Sequence, residues 1–531
     1  MSRISRAVAH AKEWNSLIVM AGIRRIQLVL PICGLIVLEL AALYLTYRLV
    51  GSLLSAAGGG TVSLPVVVIA GALLIAKSGA TFAISSRLYT IFAELEQHLR
   101  QRLVSCAESA RSPALRSRSV ETISHEINVY PHNIAYGVVQ QASRLVTDGI
   151  LAISVLLVLL LGSPVMTLCV AALLGVIGLL IGGQMLRMSR RYGRICDEGT
   201  VALVNHMGRY FSGRNEIESG PSKVWFRREA DAISMRLVGA RARFNFITLV
   251  PRLAFDSAVG AALVLVVLVA STGIGSLRQA DLAMGLAGAL KLAPYLSSIV
   301  AILMQLGFSR AIIDGFHRAL DWRASGDKAE RGLSAEFRRE SGRVAGWISI
   351  GANRIPASAG DVIVVKGRSG SGKTTLAEYL CDVMRGRANP PARQGHPELH
   401  PADKELSLAY CSQFPTVLPA PLLENLAAGG EASSLLARLI ERYGLMHLGE
   451  VAVLNETSLS GGERQRIGLI RVLARDLDVA ILDEPTASVG ELYRGRVLED
   501  VIGLAERGTL VVVVTHEAIF DEVASRLVEL E

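Results

Sequence analysis

Charge is scarce in this sequence. Only 19% of its 531 residues are Asp, Glu, Lys or Arg, against 51% hydrophobic ones, and the mean hydropathy is +0.41. A chain this apolar is not an ordinary soluble enzyme. Cysteine offers no framework either. Cys33, Cys106, Cys169, Cys196, Cys381 and Cys411 are scattered without a C-x-x-C pair, which excludes a disulfide scaffold and a zinc site. No internal repeat or low-complexity tract stands out. The formal net charge is +8, yet the arginines responsible cluster beside apolar runs, where membrane topology accounts for them. Nucleic acid is therefore not an expected partner.

What the chain has instead is a series of apolar runs, each long enough to cross a bilayer core about 30 Å thick as a helix. Six are expected, at about Ile26–Val50, Val62–Ser86, Leu145–Gly162, Val165–Leu186, Phe246–Ser271 and Ala280–Leu306. The first lies well inside the chain and leads to a second span rather than a cleavage site, so it reads as a retained helix. Arginines collect between spans two and three and again after span four, from Arg187 to Arg194, whereas the intervening short loops hold almost none. By the positive-inside rule both termini are expected to face the cytoplasm.

The stretches 87–144 and 187–245 are too long for ordinary connections, and their apolar spacing is helical. They predict helices that continue beyond the membrane and turn near "RSPALRSRS" and "FSGRNEIESGPSK", where they would meet whatever drives the membrane part. A polar stretch, 323–342, reads as a linker between a transmembrane domain of residues 1–322 and a second domain of residues 343–531. In the latter, "DVIVVKG", "LSLAYCS", "DVAILDE" and "TLVVVVTH" alternate with helical segments, the pattern of an α/β domain with a parallel sheet.

That domain carries phosphate chemistry. "GRSGSGKTT", residues 367–375, follows a strand and opens a helix, with Gly367, Gly372, Lys373 and Thr374 filling G-x-x-x-x-G-K-[ST]. Arg368, Ser369, Gly370, Ser371 and Thr375 complete a loop whose backbone N–H groups can wrap a polyphosphate, aided by the helix N-terminus. Lys373 would reach the β- and γ-phosphates and Thr374 a magnesium ion. "DVAILDEPTAS" ends an apolar strand in two carboxylates: Asp483 to hold the magnesium shell, Glu484 to orient and deprotonate water. His516 closes "LVVVVTH", where it can donate to the γ-phosphate. Gln413 follows another strand, where its amide could meet both metal and water.

These motifs, in this order, resemble the ATP-binding cassette superfamily: "GRSGSGKTT" its Walker A, Gln413 its Q-loop, "LSGGERQR" its signature, "VAILDEP" its Walker B and His516 its switch histidine. Six spans ahead of the cassette resemble exporter half-transporters. The resemblance implies an ATPase using ATP and Mg²⁺, working as a dimer, expected to be a homodimer. In it Ser460, Gly461 and Gly462 of one chain approach the ATP bound at Lys373 of the other. The sequence departs from the family at Gly490, where an aspartate of the D-loop is expected, and in the short segment before Walker A. There Trp347 is a candidate to stack on adenine, the alternative being that it packs within its strand.

Glu39, Lys77, Asp148, Asp256 and Lys291 lie inside the expected spans, where ionisable groups mark function or pair with one another. Lys77 and Lys291 could line a cavity attracting an anionic group, or could be neutralised by Glu39 or Asp256. Phrases such as "MGLAGALKLAPYLSSI" resemble bacterial flippases for lipid-linked oligosaccharides, with Lys291 before a Leu and Pro294. That resemblance implies an amphipathic, lipid-linked substrate moved among membrane lipids. Peptides, lipids and drugs remain open as substrates, as does an ATP-binding regulatory half of a heterodimer with little turnover of its own.

Overall fold

The computed structural model describes residues 27–42, 64–116, 118–162, 164–219, 222–272, 279–321, 333–340, 343–350, 353–368, 370–385, 406–427, 434–455 and 458–530. The chain divides into two compact units, one of residues 1–108 and 118–321, the other of residues 109–117 and 322–531.

The first unit is helical. Among the described residues four helices are long and apolar enough to cross a membrane, and a shorter apolar helix spans Gln27–Ala42. The latter covers part of the first expected span; residues 43–50 and 62–63 lie outside the described residues, and the rest of the second span lies in the helix Leu64–Glu108. Helices Pro164–Ser212 and Ser222–Thr272 have 49 and 51 residues, which at 1.5 Å per residue is roughly 75 Å, more than twice a hydrocarbon core. Each therefore runs well past its apolar stretch. These two helices pack on Gln279–Phe308, which also lies against Gln140–Gly162. Phe255, Leu174, Ala289, Leu292 and Ala293 are buried at that junction, and Phe244 stacks on Phe308 at 4.0 Å between ring centroids. Pro131 interrupts the hydrogen-bond ladder of helix Val120–His132, and the next turn, Asn133–Val139, widens into a π-helix before Gln140–Gly162 resumes.

The second unit holds two sheets. Strands β1 (Leu333–Glu340), β2 (Arg343–Ile350) and β3 (Asn353–Ser358) form an antiparallel sheet in that order. Strand β1 thus falls in the stretch read as a linker. Its alternating Leu333, Ala335 and Phe337 pack into the core, which offsets the polarity that suggested a tether. Strands β4 (Val362–Gly367), β5 (Leu408–Cys411), β6 (Val479–Asp483), β7 (Leu510–Val514) and β8 (Arg526–Leu530) form the sheet β5-β6-β7-β4-β8, with every neighbouring pair parallel.

Strands β6 and β7 are buried along their whole length, because helices cover both faces of the sheet. The period of two in each strand sorts its side chains. Ile363, Val365, Ile481 and Val512 face Leu376 and Leu380 of helix Lys373–Met384. Val364, Leu482 and Val511 face Ile467 of helix Gly461–Leu473 and Val501 of helix Glu491–Glu506. The first of the two turns read from the sequence, now helix Ser112–Arg116, lies on helix Lys373–Met384. The Ser112 N–H donates to Asp382 Oδ2 at 2.8 Å and Arg116 pairs with Glu378, so carboxylates one turn apart hold both ends of the short helix. The second turn is helix Arg214–Ser219 in the first unit.

Candidate functional site

In a parallel sheet the carboxyl ends of all strands lie on one side, and here that side gathers the phosphate motifs. Gly367, Arg368, Gly370, Gly372, Lys373, Thr374 and Thr375 from the end of β4, Asp483 and Glu484 from β6, His516 from β7 and Gln413 after β5 line one cavity of about 570 Å³. Ser369 lies outside the described residues. Gly370 and Gly372 have φ of 88° and 90°, left-handed conformations that explain glycine in this loop. Lys373 begins the following helix and is 9% exposed; its Nζ donates to the carbonyls of Gly367 at 2.8 Å and Arg368 at 3.0 Å. The loop thus folds around its own lysine, holding a cation beside the N-terminus of the helix Lys373–Met384.

Asp483 is 1% exposed. Burial pushes its carboxyl up from the ordinary range, helped by the neighbouring Glu484 charge and opposed by hydrogen bonds from Thr374 and Tyr410 and by Lys373. Tyr410 donates to Oδ2 at 3.3 Å, while the buried Oδ1 has no hydrogen-bond partner among the described residues. Tyr410 was not foreseen; it stands on β5 with β6 directly beside it, and only the strand pairing reveals it.

Glu484 is the one non-glycine with a positive φ, 48°, among the described residues. Its N–H donates to Val514 O at 2.8 Å, and its carboxylate accepts from His516 Nδ1 at 2.9–3.0 Å and from Thr515 Oγ1 at 3.4 Å. One ring nitrogen of His516 is thereby committed to Glu484 rather than free for phosphate.

The signature residues Ser460, Gly461 and Gly462 are not among the residues lining this cavity. Ser460 caps helix Gly461–Leu473 in a reciprocal capping box with Glu463. Burial would raise the Glu463 carboxyl, but hydrogen bonds from Ser460 and His447 outweigh it and hold the group down at about 2. Trp347 does not line the cavity either: it faces Pro356 across β2 and β3, and the Arg354 guanidinium lies 4.1 Å over its ring. In the helical unit Lys77 pairs with Glu39 at 2.8 Å, Ser298 donates to Asp148, and Arg252 lies 3.8 Å from Asp256. Lys291 is exposed and has no ion-pair partner among the described residues.

Comparison with known proteins accords with this geometry. Residues 354–487 match the family model described as ABC transporter. The lipoprotein-releasing system ATP-binding protein LolD of Alcanivorax borkumensis is 31% identical over 31% of this chain and 78% of its own length. The glutamine transport ATP-binding protein GlnQ of Escherichia coli is 33% identical over 32% of this chain and 77% of its own. The chain belongs to the ABC transporter family. A solved bacterial Atm1-family ABC exporter with ATP bound superposes with a TM-score of 0.73 at 13% identity, covering 96% of this chain and 93% of that one. The ABC transporter described here therefore has the exporter fold, a multi-pass helical part fused to its cassette, and the cassette is an ATP-binding ATPase coupled to transport.

Two features of this ABC transporter bear on its nucleotide chemistry. The donor set at Asp483 fits magnesium: a buried carboxylate oxygen without a partner, beside the Thr374 hydroxyl and a loop for phosphates, suits a hard cation that keeps few protein ligands. Gly490, where the family pattern has aspartate, takes φ 83° and ψ 152°, a region essentially confined to glycine. A Cβ there would meet nothing within 4 Å, so backbone strain alone disfavours other residues. Gly490→Asp is therefore expected to lower stability by about 1–3 kcal/mol rather than restore the family's loop. Chemical denaturation of the two proteins checks this, and equal stabilities would show that the segment relaxes without cost.

Proposed function

We propose that this transporter is a homodimeric exporter or flippase of the bacterial inner membrane that uses ATP hydrolysis to move an amphipathic molecule, with a lipid-linked oligosaccharide as the leading class. Both cassettes and both termini face the cytoplasm. The observation that carries the ATP mechanism is the convergence of Lys373, Asp483, Glu484 and His516 on one cavity while Ser460 caps a helix outside it. A site built this way is completed from elsewhere, by Ser460 of the partner subunit.

The loop amides and Lys373 hold the β- and γ-phosphates, and Thr374, Asp483 and Gln413 surround the magnesium position. Magnesium, when bound, neutralises charge on the transferring phosphoryl group. Glu484 takes the proton from the attacking water. His516 fixes the Glu484 carboxylate through Nδ1, leaving its other nitrogen to face the γ-phosphate. Closure of the two cassettes over ATP and their release after hydrolysis then switch the helices between inward- and outward-facing arrangements.

For the substrate, Lys77 is neutralised by Glu39, so of the two lysines Lys291, which has no ion-pair partner among the described residues, is the one offered to an anionic headgroup. The expected result for Lys291→Ala is a several-fold loss of substrate-stimulated ATPase and of flipping in vesicles containing a pyrophosphate-linked lipid, with basal ATPase unchanged. Equal transport by wild type and variant would remove Lys291 from substrate recognition.

A further inference from the structure

Glu484 holds a conformation that an L residue readily leaves, with φ of 48°. Its backbone is secured at both ends: the N–H donates to Val514 O at 2.8 Å, and the carbonyl accepts from Ala487 N at 3.2 Å and from Gln465 Nε2 at 3.3 Å. Gln465 is 1% exposed. Among the described residues its other neighbour is the buried Cys411 Sγ at 4.0 Å, a weak acceptor, so the bond to the Glu484 carbonyl is the stronger of the two. We infer that Gln465 is a positioning residue for Glu484, tying the carboxylate that activates water to the helix that begins with the signature serine.

Helix Gly461–Leu473 approaches the 484–490 segment at three places. A Cβ on Gly462 would stand 2.7 Å from Ser488 O, Gln465 bonds the Glu484 carbonyl, and Arg466 Nη1 reaches Val489 O at 3.5 Å. The Arg466 guanidinium also lies 4.7 Å over the Tyr493 ring just beyond Gly490. Of the three contacts, the one through Gln465 touches the residue that does the chemistry. A rigid helix capped at Ser460 transmits any displacement of its N-terminus to Gln465 one turn later, and from there to the backbone of Glu484. Engagement of Ser460 with the ATP of the partner subunit is thus felt at this chain's own catalytic carboxylate. The route needs no side chain at position 490, where this sequence has glycine.

The inference rests on Glu484 being the base. Gln465→Met keeps the length of the side chain without its donor, and Gln465→Glu keeps its shape. In the full-length protein both are expected to lower kcat for ATP by about tenfold or more, the scale of a small misplacement at a reacting centre, with half-saturation by ATP within about twofold of wild type. In Gln465→Glu the deficit should shrink as pH falls, because a protonated carboxyl donates to the Glu484 carbonyl again and a purely structural lesion would show no such recovery. Added to Glu484→Gln, neither substitution should lower turnover further. Unchanged kcat in both variants overturns the inference, as does parallel loss of ATP affinity and turnover. If Glu484→Gln is inactive while Gln465→Met is fully active, only the positioning role falls; if Glu484→Gln keeps its turnover, the reading of Glu484 as base falls first.

Discussion

Glu484→Gln is expected to bind ATP with wild-type affinity and to hydrolyse it about 10²–10⁴-fold more slowly, the usual contribution of a positioned general base. The substitution keeps the shape of the side chain and one oxygen able to accept from His516 Nδ1 or Thr515 Oγ1, while removing the basic oxygen that takes the proton. Backbone support for the residue comes from Val514, Ala487 and Gln465, none of which bonds to its carboxylate. The fold around position 484 should therefore survive, and the loss should appear in kcat alone. A second consequence follows from the dimeric mechanism proposed above. With hydrolysis blocked, ATP stays between the cassettes, so the variant should accumulate in a closed, nucleotide-retaining state that wild type visits only transiently. Phosphate release and nucleotide retention measured on the same preparation check both halves. Turnover within about tenfold of wild type would mean that another group activates the water.

Much of this site was legible in the sequence because its parts are local. A glycine loop between strand and helix, two carboxylates ending an apolar strand and a histidine ending another are each contiguous, and a parallel sheet brings strand ends together without further instruction. What escaped notice depends on chains meeting across the sheet. Tyr410 reaches Asp483 from a neighbouring strand, and Gln465 reaches Glu484 from a helix nineteen residues earlier. Glu378 and Asp382 hold a helix some 270 residues before them. Trp347 was legible as an aromatic in the right segment, but Arg354 on the following strand already occupies its face. Strand β1 was hidden by its charges. Its period of two, with Leu333, Ala335 and Phe337 on one face, was the available signal, and the polarity of the alternate positions masked it. In the membrane part neutralisation of Lys77 by Glu39 or Asp256 was one of two readings, and because the pair joins two different helices no spacing rule could choose Glu39 as the partner.

The other large effect is expected at Lys373. Its ammonium lies 2.8 Å and 3.0 Å from the carbonyls of Gly367 and Arg368, a contact that closes the loop around the lysine and leaves the third donor of the group for an incoming phosphate oxygen. Hydrogen bonds to charged groups are worth about 1.5–3 kcal/mol each, and each 1.4 kcal/mol is about tenfold in affinity. Lys373→Ala should thus weaken ATP binding by about 10–100-fold and, unlike Glu484→Gln, lose nucleotide retention together with turnover. Part of that loss comes from the loop itself, because the Gly367 and Arg368 carbonyls are left without their donor. Comparing ATP with inorganic triphosphate separates the effects on phosphate binding from any at the base: both ligands should lose affinity by the same factor. If ATP affinity is retained, Lys373 does not hold the phosphates, and the cavity at the end of β4 must bind them through backbone amides alone.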